Sequence, residues 1–223
     1  LATQEMPFWM WQLQQRMKKR RKSFQAVEFG GVNGKISGFT VSTLATWSLS
    51  VWVYPIPTGD QYGAILNDGS GGGTYYRSDL KKISHYIAGD QLTSATLPDN
   101  KWTHLALSVA AGAGTFYLNG VSSGSFTGSQ PSFVTMGDNG TSNTLKARLS
   151  DMAVYSIALT AGQALSLTKR TTTPAAIGSR LAHWKLNDVK NGLTGAGATF
   201  LDSSGNGKNG TGSGGLTGRV GAV

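Results

Sequence analysis

The chain contains no cysteine. A disulfide framework and a thiolate metal site are therefore both excluded. An extracellular address stays open without cysteines to signal it. Charge is also sparse, at 14% of residues, and only two glutamates occur, Glu5 and Glu28. No apolar run approaches the roughly 18 residues that a membrane-spanning helix needs. A signal peptide is not expected at the N-terminus either: the apolar cluster Phe8–Trp11 precedes the local positive charges and is too short for a hydrophobic core region. What is abundant is glycine, 31 residues of 223, beside a hydrophobic content of 39%. That mixture disfavours both helix and disorder and suits short strands joined by glycine-rich turns. The length fits one large all-β domain.

The net charge of +9 is unevenly spread: residues 1–24 hold six Lys/Arg against one Glu, a net +5. The remaining chain is nearly neutral for its size. Residues 1–24 read as a basic arm with an aromatic tip. Gln12–Lys22 is built from good helix formers but lacks a sustained apolar stripe. Phe8, Trp9 and Trp11 cannot bury one another, so they ask for a neighbouring surface. Arg16, Lys18, Lys19, Arg20, Arg21 and Lys22 suit phosphates, an acidic protein or an anionic membrane. The alternative for such a run is a solvated tail.

From residue 25 the pattern is strand and turn. Trp47-Ser48-Leu49-Ser50-Val51-Trp52-Val53 alternates large apolar with small polar residues, as a half-buried strand does, and Pro55 and Pro57 follow it. Lys82–Ile87 and His104–Val109 alternate in the same way. Thr115–Leu118 runs into Asn119-Gly120, the strongest short hairpin signal in the chain. Leu149–Tyr155 and Leu181–Leu186 are further strands, and Ala158–Leu165 is expected as a short helix capped by Thr160. Many short strands with turn signals every 8–12 residues predict an antiparallel sandwich.

Four stretches together resemble the laminin-G-like family of concanavalin A-like domains. Phe29–Ile36 is similar to that family's opening motif, and Trp47–Pro55 to its first long strand. Asn100–Ala106 with Phe116–Gly120 matches a Trp-His strand followed by an Asn/Asp-Gly hairpin. Leu149–Thr160 resembles the closing strand. The resemblance implies a jelly-roll β-sandwich over residues 25–170, an all-β fold carrying an N-terminal basic arm. A linker is expected at 171–179. Residues 180–223, with Ala182–Asp188, Leu201–Thr211 and Gly218–Val223, resemble the portion that opens the family sequence. Here they stand last. Either they complete their own sandwich in permuted order, or they complete a neighbouring subunit, or they begin a second domain.

A glycoside hydrolase needs paired carboxylates flanking the scissile bond. Hydrolases of this fold place acids at alternate positions of one strand, and no strand here does so. No catalytic residue is expected. His85, His104 and His183 are too dispersed to suggest a triad and read as packing residues. The resemblance implies one candidate cofactor, calcium, with Asp202 and Asn206 in the Asp-Ser-Ser-Gly-Asn-Gly turn and Asp151 as ligands. An Asx turn uses the same side chains without a metal. A glycan site would draw on Tyr62, Asn67, Asp68, Tyr75, Tyr76 and Tyr86, against the alternative that these aromatics pack the core or an edge.

The expected function is a non-enzymatic binding or assembly module. A basic arm on a catalytically empty jelly roll suggests a virion component: capsid decoration, minor capsid protein or host-attachment fibre. Its expected partners are other subunits, met through the arm and the C-terminal strands, and surface glycans. The alternative is a secreted or surface-anchored bacterial carbohydrate-binding or adhesion domain.

Overall fold

The computed structural model describes Pro7, Met10 and residues 24–43, 45–57, 59–128, 132–140 and 143–221. The arm residues Phe8, Trp9, Trp11, Arg16, Lys18, Lys19, Arg20, Arg21 and Lys22 lie outside the described residues.

Two antiparallel sheets of eight strands each form a sandwich. With strands numbered in chain order, the first sheet runs β10 (Val121–Thr127), β9 (Ala113–Leu118), β8 (Thr103–Ala110), β3 (Trp47–Pro55), β12 (Lys146–Tyr155), β1 (Phe24–Gly30) and β16 (Leu216–Gly221). β13 (Arg180–Trp184) also joins β12. The second runs β14 (Thr199–Phe200), β15 (Gly210–Ser213), β2 (Lys35–Ser42), β11 (Ser132–Met136), β4 (Tyr62–Asn67), β5 (Gly73–Arg77), β6 (Lys82–Tyr86) and β7 (Asp90–Leu92).

Strand alternation builds the core. Trp47, Leu49, Val51 and Val53 of β3 and Leu105, Leu107 and Val109 of β8 point toward the second sheet. They meet Ile65, Leu66, Tyr76, Ile83, Phe133 and Met136 there. The small polar residues of β3 and β8 turn outward, yet they too are buried, because a chain segment covers that face. Ser48 donates to the Ile157 carbonyl and accepts from Leu159 N–H, both at 2.8 Å. Ser108 donates to the Leu159 carbonyl at 2.8 Å. The segment leads into helix α1 (Ala161–Thr168), where Thr160 and Gln163 form a reciprocal capping box. α1 seats Ala164 and Leu167 against Ala106, Ala153 and Tyr155. A single helical turn, α2 (Pro174–Ile177), follows.

The C-terminal residues enter both sheets. β15 pairs with β2, and β16 pairs with β1 from Phe24↔Gly221 to Phe29↔Leu216. β12 shares one edge between two partners: β1 along Lys146–Leu149 and β13 along Met152–Tyr155. Asp151 sits at the changeover with φ 52°, and the ladder to β3 shifts register there. Glu28 of β1 clamps three strands by pairing with Arg148 of β12 (2.7 Å) and Arg219 of β16 (2.7 Å). The Arg219 hydrogen bond leads in holding the Glu28 carboxyl below its usual range; burial opposes it and Arg148 adds to it.

Candidate functional site

Four hairpin-linked strands, β4 to β7, bring the first candidate together. In the register Tyr62↔Arg77↔Lys82, Ala64↔Tyr75↔Ser84 and Gly73↔Tyr86↔Asp90, alternation puts Tyr62, Tyr75, Arg77, Ser84, Tyr86 and Asp90 on one face of the second sheet, away from the core. The loop after β11 lies over that face. Its Asn143 carbonyl accepts from Ala64 N–H at 3.2 Å, and Ala64 O accepts from Gly137 N–H at 2.8 Å. The result is a cleft of about 400 Å³ lined by Tyr62, Tyr75, Tyr86, Ser70, Gly71, Asn139 and Asn143.

The rings are held firmly. Tyr62 stands edge-on to Tyr75 and Tyr86, with centroids 6.0 and 6.3 Å apart. Tyr75 forms the buried floor and donates its hydroxyl to the Gly71 carbonyl at 2.9 Å. Burial pushes that hydroxyl up to about 12, against the pull of a hydrogen bond with Asn139. Tyr62 donates to Asp90 Oδ2 at 2.7 Å, which raises its pKa, and the Arg77 guanidinium lies 4.3 Å from its ring centroid. Asp79 pairs with Arg77 in a fork and is lowered to about 2 chiefly by that contact.

Other residues expected at a glycan site fall elsewhere. Tyr76 alternates with Tyr75 and therefore points into the core, its hydroxyl 3.4 Å from Asp99 Oδ1. Asn67 is fully buried, where its side-chain oxygen accepts from Gly69 N–H and Thr135 Oγ1. Asp68 Oδ1 accepts from the amides of Ser70, Gly71 and Gly72, shaping the loop rather than lining the cleft. Asn139, Asn143, Arg77 and Asp90 were not anticipated. The Asp138-Asn139-Gly140 turn was the available signal for the first of them.

Both oxygens of Asp202 and one of Asp151, two of the expected calcium ligands, accept internal hydrogen bonds. Asp202 Oδ1 accepts from the amides of His183 (2.9 Å) and Ser204 (2.8 Å), and Oδ2 from Lys208 N–H (2.9 Å) and Ser204 Oγ (2.8 Å). Burial alone would raise this carboxyl, but these bonds together lower it. Asn206 donates its amide to the carbonyls of Arg180 and Leu181. Asp151 Oδ1 accepts from His183 Nε2 at 2.7 Å; Arg180, a donor only, lies 3.2 Å from Nδ1 and fixes that tautomer. This pattern is that of a hydrogen-bonded turn. Among the described residues no group of three or more His, Cys, Asp or Glu is placed to hold a metal ion.

A second cavity, about 320 Å³, opens on the outer face of the first sheet beside α1 and includes Ser50, Trp52, His104, Asp151 and Arg170. Ser50 Oγ lies 3.0 Å from His104 Nε2. The orienting acid of a hydrolytic relay is missing, because His104 Nδ1 meets Thr168 Oγ1 at 2.9 Å and Asp151 bonds His183 instead. Burial lowers His104 to about 4, so it stays neutral. His85 is likewise lowered to about 4, packed between Trp47 and Phe126.

A two-sheet antiparallel sandwich with a ligand-sized cleft on an outer face defines a lectin-type jelly roll. The chain belongs to the laminin-G-like family within the concanavalin A-like lectin/glucanases superfamily, whose model matches residues 30–164. A segment of adhesion G-protein coupled receptor V1 from Danio rerio is 28% identical over 131 residues, spanning 49% of this chain and 2% of that receptor. A Bacteroides ovatus protein, provisionally named as carbohydrate binding, superposes with a TM-score of 0.69 at 17% identity, over 89% of this chain and 60% of its own. The SAP-like pentraxin of Limulus polyphemus gives 0.51 at 15% identity, over 66% and 82%. Domain 4 of an extracellular arabinanase from Geobacillus stearothermophilus, solved with arabinotriose, gives 0.50 at 21% identity, over 64% and 76%. These structures share the fold. No described helix is long and apolar enough to cross a membrane.

Proposed function

We propose that the chain is a carbohydrate-binding module acting outside the cell or at a cell surface, and that the tyrosine cleft holds the glycan. The observation that carries this reading is the cleft itself: three fixed tyrosine rings beside two asparagines, in a volume suited to one or two sugar residues. Aromatic faces pack on sugar C–H surfaces while side-chain amides meet hydroxyls. The Bacteroides protein and the arabinanase domain lend support by fold analogy only. Binding without hydrolysis is part of the proposal. The lining residues are uncharged, and the nearby Asp79 and Asp90 are both engaged by Arg77 rather than set across a scissile bond.

The test is a glycan array followed by calorimetric titration of any sugar retained. Tyr62→Ala and Tyr86→Ala should each weaken binding roughly tenfold, given the worth of aromatic packing contacts. Silence across the array, or affinity untouched by both substitutions, overturns the reading.

We propose further that residues 180–221 complete this same sandwich in rotated order, supported by the pairing of β13, β15 and β16 with β12, β2 and β1. A virion setting remains a second reading, favoured by the net +5 over residues 1–24. Native mass spectrometry would support it with a symmetric assembly lost on deleting residues 1–23. A monomer in both cases sinks it.

A further inference from the structure

The polar groups around the tyrosine cleft divide into those already satisfied and those left to a ligand. The satisfied set is charged. Arg77 pairs in a fork with Asp79 (3.0 and 2.8 Å), pairs with Asp90, and donates to the Tyr62 hydroxyl oxygen at 3.0 Å. Tyr62 in turn donates to Asp90, which also accepts from Ser84 Oγ. The Tyr62 hydroxyl is thus used in both directions, so Tyr62 offers a ligand only the ring surface that Arg77, 4.3 Å from the centroid, leaves open. One guanidinium and two carboxylates give this network a net charge of −1, and Lys82, opposite Arg77 in register, adds one positive charge to the same face. None of the lining residues is a cation.

The second set is neutral. The Tyr86 hydroxyl and the Asn143 carboxamide have no hydrogen-bond partner among the described residues, and both residues line the cleft. A phenol and a carboxamide can each donate and accept. That is the complement of sugar hydroxyls, which also do both. A carboxylate, by contrast, needs an opposed cation or converging N–H groups to replace its hydration, and burying it unpaired is costly. Here no lining residue offers it a cation.

We infer that the cleft selects electrically neutral saccharides, packed against the exposed surfaces of the Tyr62 and Tyr86 rings, and rejects sugars that carry a carboxylate. Tyr86 and Asn143 supply the directional contacts, and Tyr62 acts through its ring with its hydroxyl locked. This selectivity rests on the tyrosine cleft being the glycan site.

The experiment uses the full chain and matched ligands. Neutral gluco-, galacto-, arabino- and xylo-oligosaccharides are titrated beside galacturonan and glucuronic-acid oligosaccharides and sialyllactose, at low and high salt. The expected result is binding of at least one neutral series, with its acidic counterpart weaker by about tenfold or more and the neutral affinity unchanged by salt. Tyr86→Phe should lose about fivefold, the worth of one neutral hydrogen bond. Tyr62→Ala, which removes a packing ring, should lose more than Tyr86→Phe, with thermal unfolding confirming that both variants fold. Acidic sugars binding as well as neutral ones, with affinity falling as salt rises, overturn the selectivity while leaving the glycan site standing. Loss in Tyr62→Ala no greater than that in Tyr86→Phe overturns the division of roles. No binding of any sugar removes the site and the selectivity together.

Discussion

His85 shows how much a single buried side chain decides. It packs against Trp47 and Phe126 with ring centroids 5.6 and 4.7 Å away; its Nδ1 has one long contact to Thr74, and Nε2 has no partner among the described residues. Burial therefore lowers it to about 4, as it does His104. Below the ordinary imidazole value near 6.5 the unfolded chain takes up a proton that the folded chain refuses, so stability falls as pH drops from about 6.5 toward 4 and is unaffected above that window. Each imidazole contributes a slope of about 1.4 kcal/mol per pH unit there. His85→Phe keeps the aromatic packing and removes the titration. Denaturant melts at pH 7, 6 and 5 should show its stability declining with about half the slope that the two imidazoles give wild type over that window. An unchanged slope would mean that His85 is not held neutral by the core.

At the level of elements, the β9–β10 hairpin and α1 depend on each other. Asn119 and Gly120 both take positive φ, 50° and 77°, as a tight two-residue turn requires. Asn119 also accepts from His104 N–H at 2.9 Å. A Cβ on Gly120 would stand 2.7 Å from Leu165 Cα, so the turn admits no side chain where it meets the helix. Gly120→Ala should cost about 2 kcal/mol or more, combining the left-handed strain with a backbone clash. A melting temperature within a degree or two of wild type would refute it. This hairpin was plain in the sequence, as were the alternating strands around Trp47, Ile83 and Leu105, because each rests on neighbours in the chain. The cleft was only partly so. Tyr62, Tyr75 and Tyr86 come together through consecutive hairpins, which local pattern can suggest. Tyr76 was grouped with them although adjacent strand residues face opposite sides. Asn139 and Asn143 arrive on a loop some seventy residues downstream of β4, positioned by ladder contacts that no local pattern encodes. The charge balance of Arg77 with Asp79 and Asp90 is likewise a product of register.

The strand order of the whole molecule ties its late residues to its early ones. β1 lies between β12 and β16, and the Phe24↔Gly221 pair puts the start of β1 beside the end of β16. Glu28 bonds Arg148 and Arg219 across that same trio. A hairpin turn from Gly221 to Phe24 therefore needs only a few residues, while the segment around Gly178 and Ser179 is exposed and follows the end of α2. If residues 180–221 hold within this sandwich the place their motifs hold in the family, the chain can be rewired without disturbing a strand. A permutant opening at Arg180, joined from Gly221 to Phe24 by a short Gly-Asn-Gly turn and ending at Ser179, should fold cooperatively. Its reference is residues 24–221 in natural order, so that the arm is absent from both. We expect unfolding midpoints within about 5 °C, since the joined turn shortens one closure while the cut opens another and loop entropy changes only slowly with length. We also expect unchanged sugar affinity, because Tyr62, Tyr75, Tyr86, Asn139 and Asn143 all lie between the cut and the join. A permutant that aggregates, or a natural-order reference that dimerises through its last strands, would show instead that β13–β16 belong to a neighbouring copy.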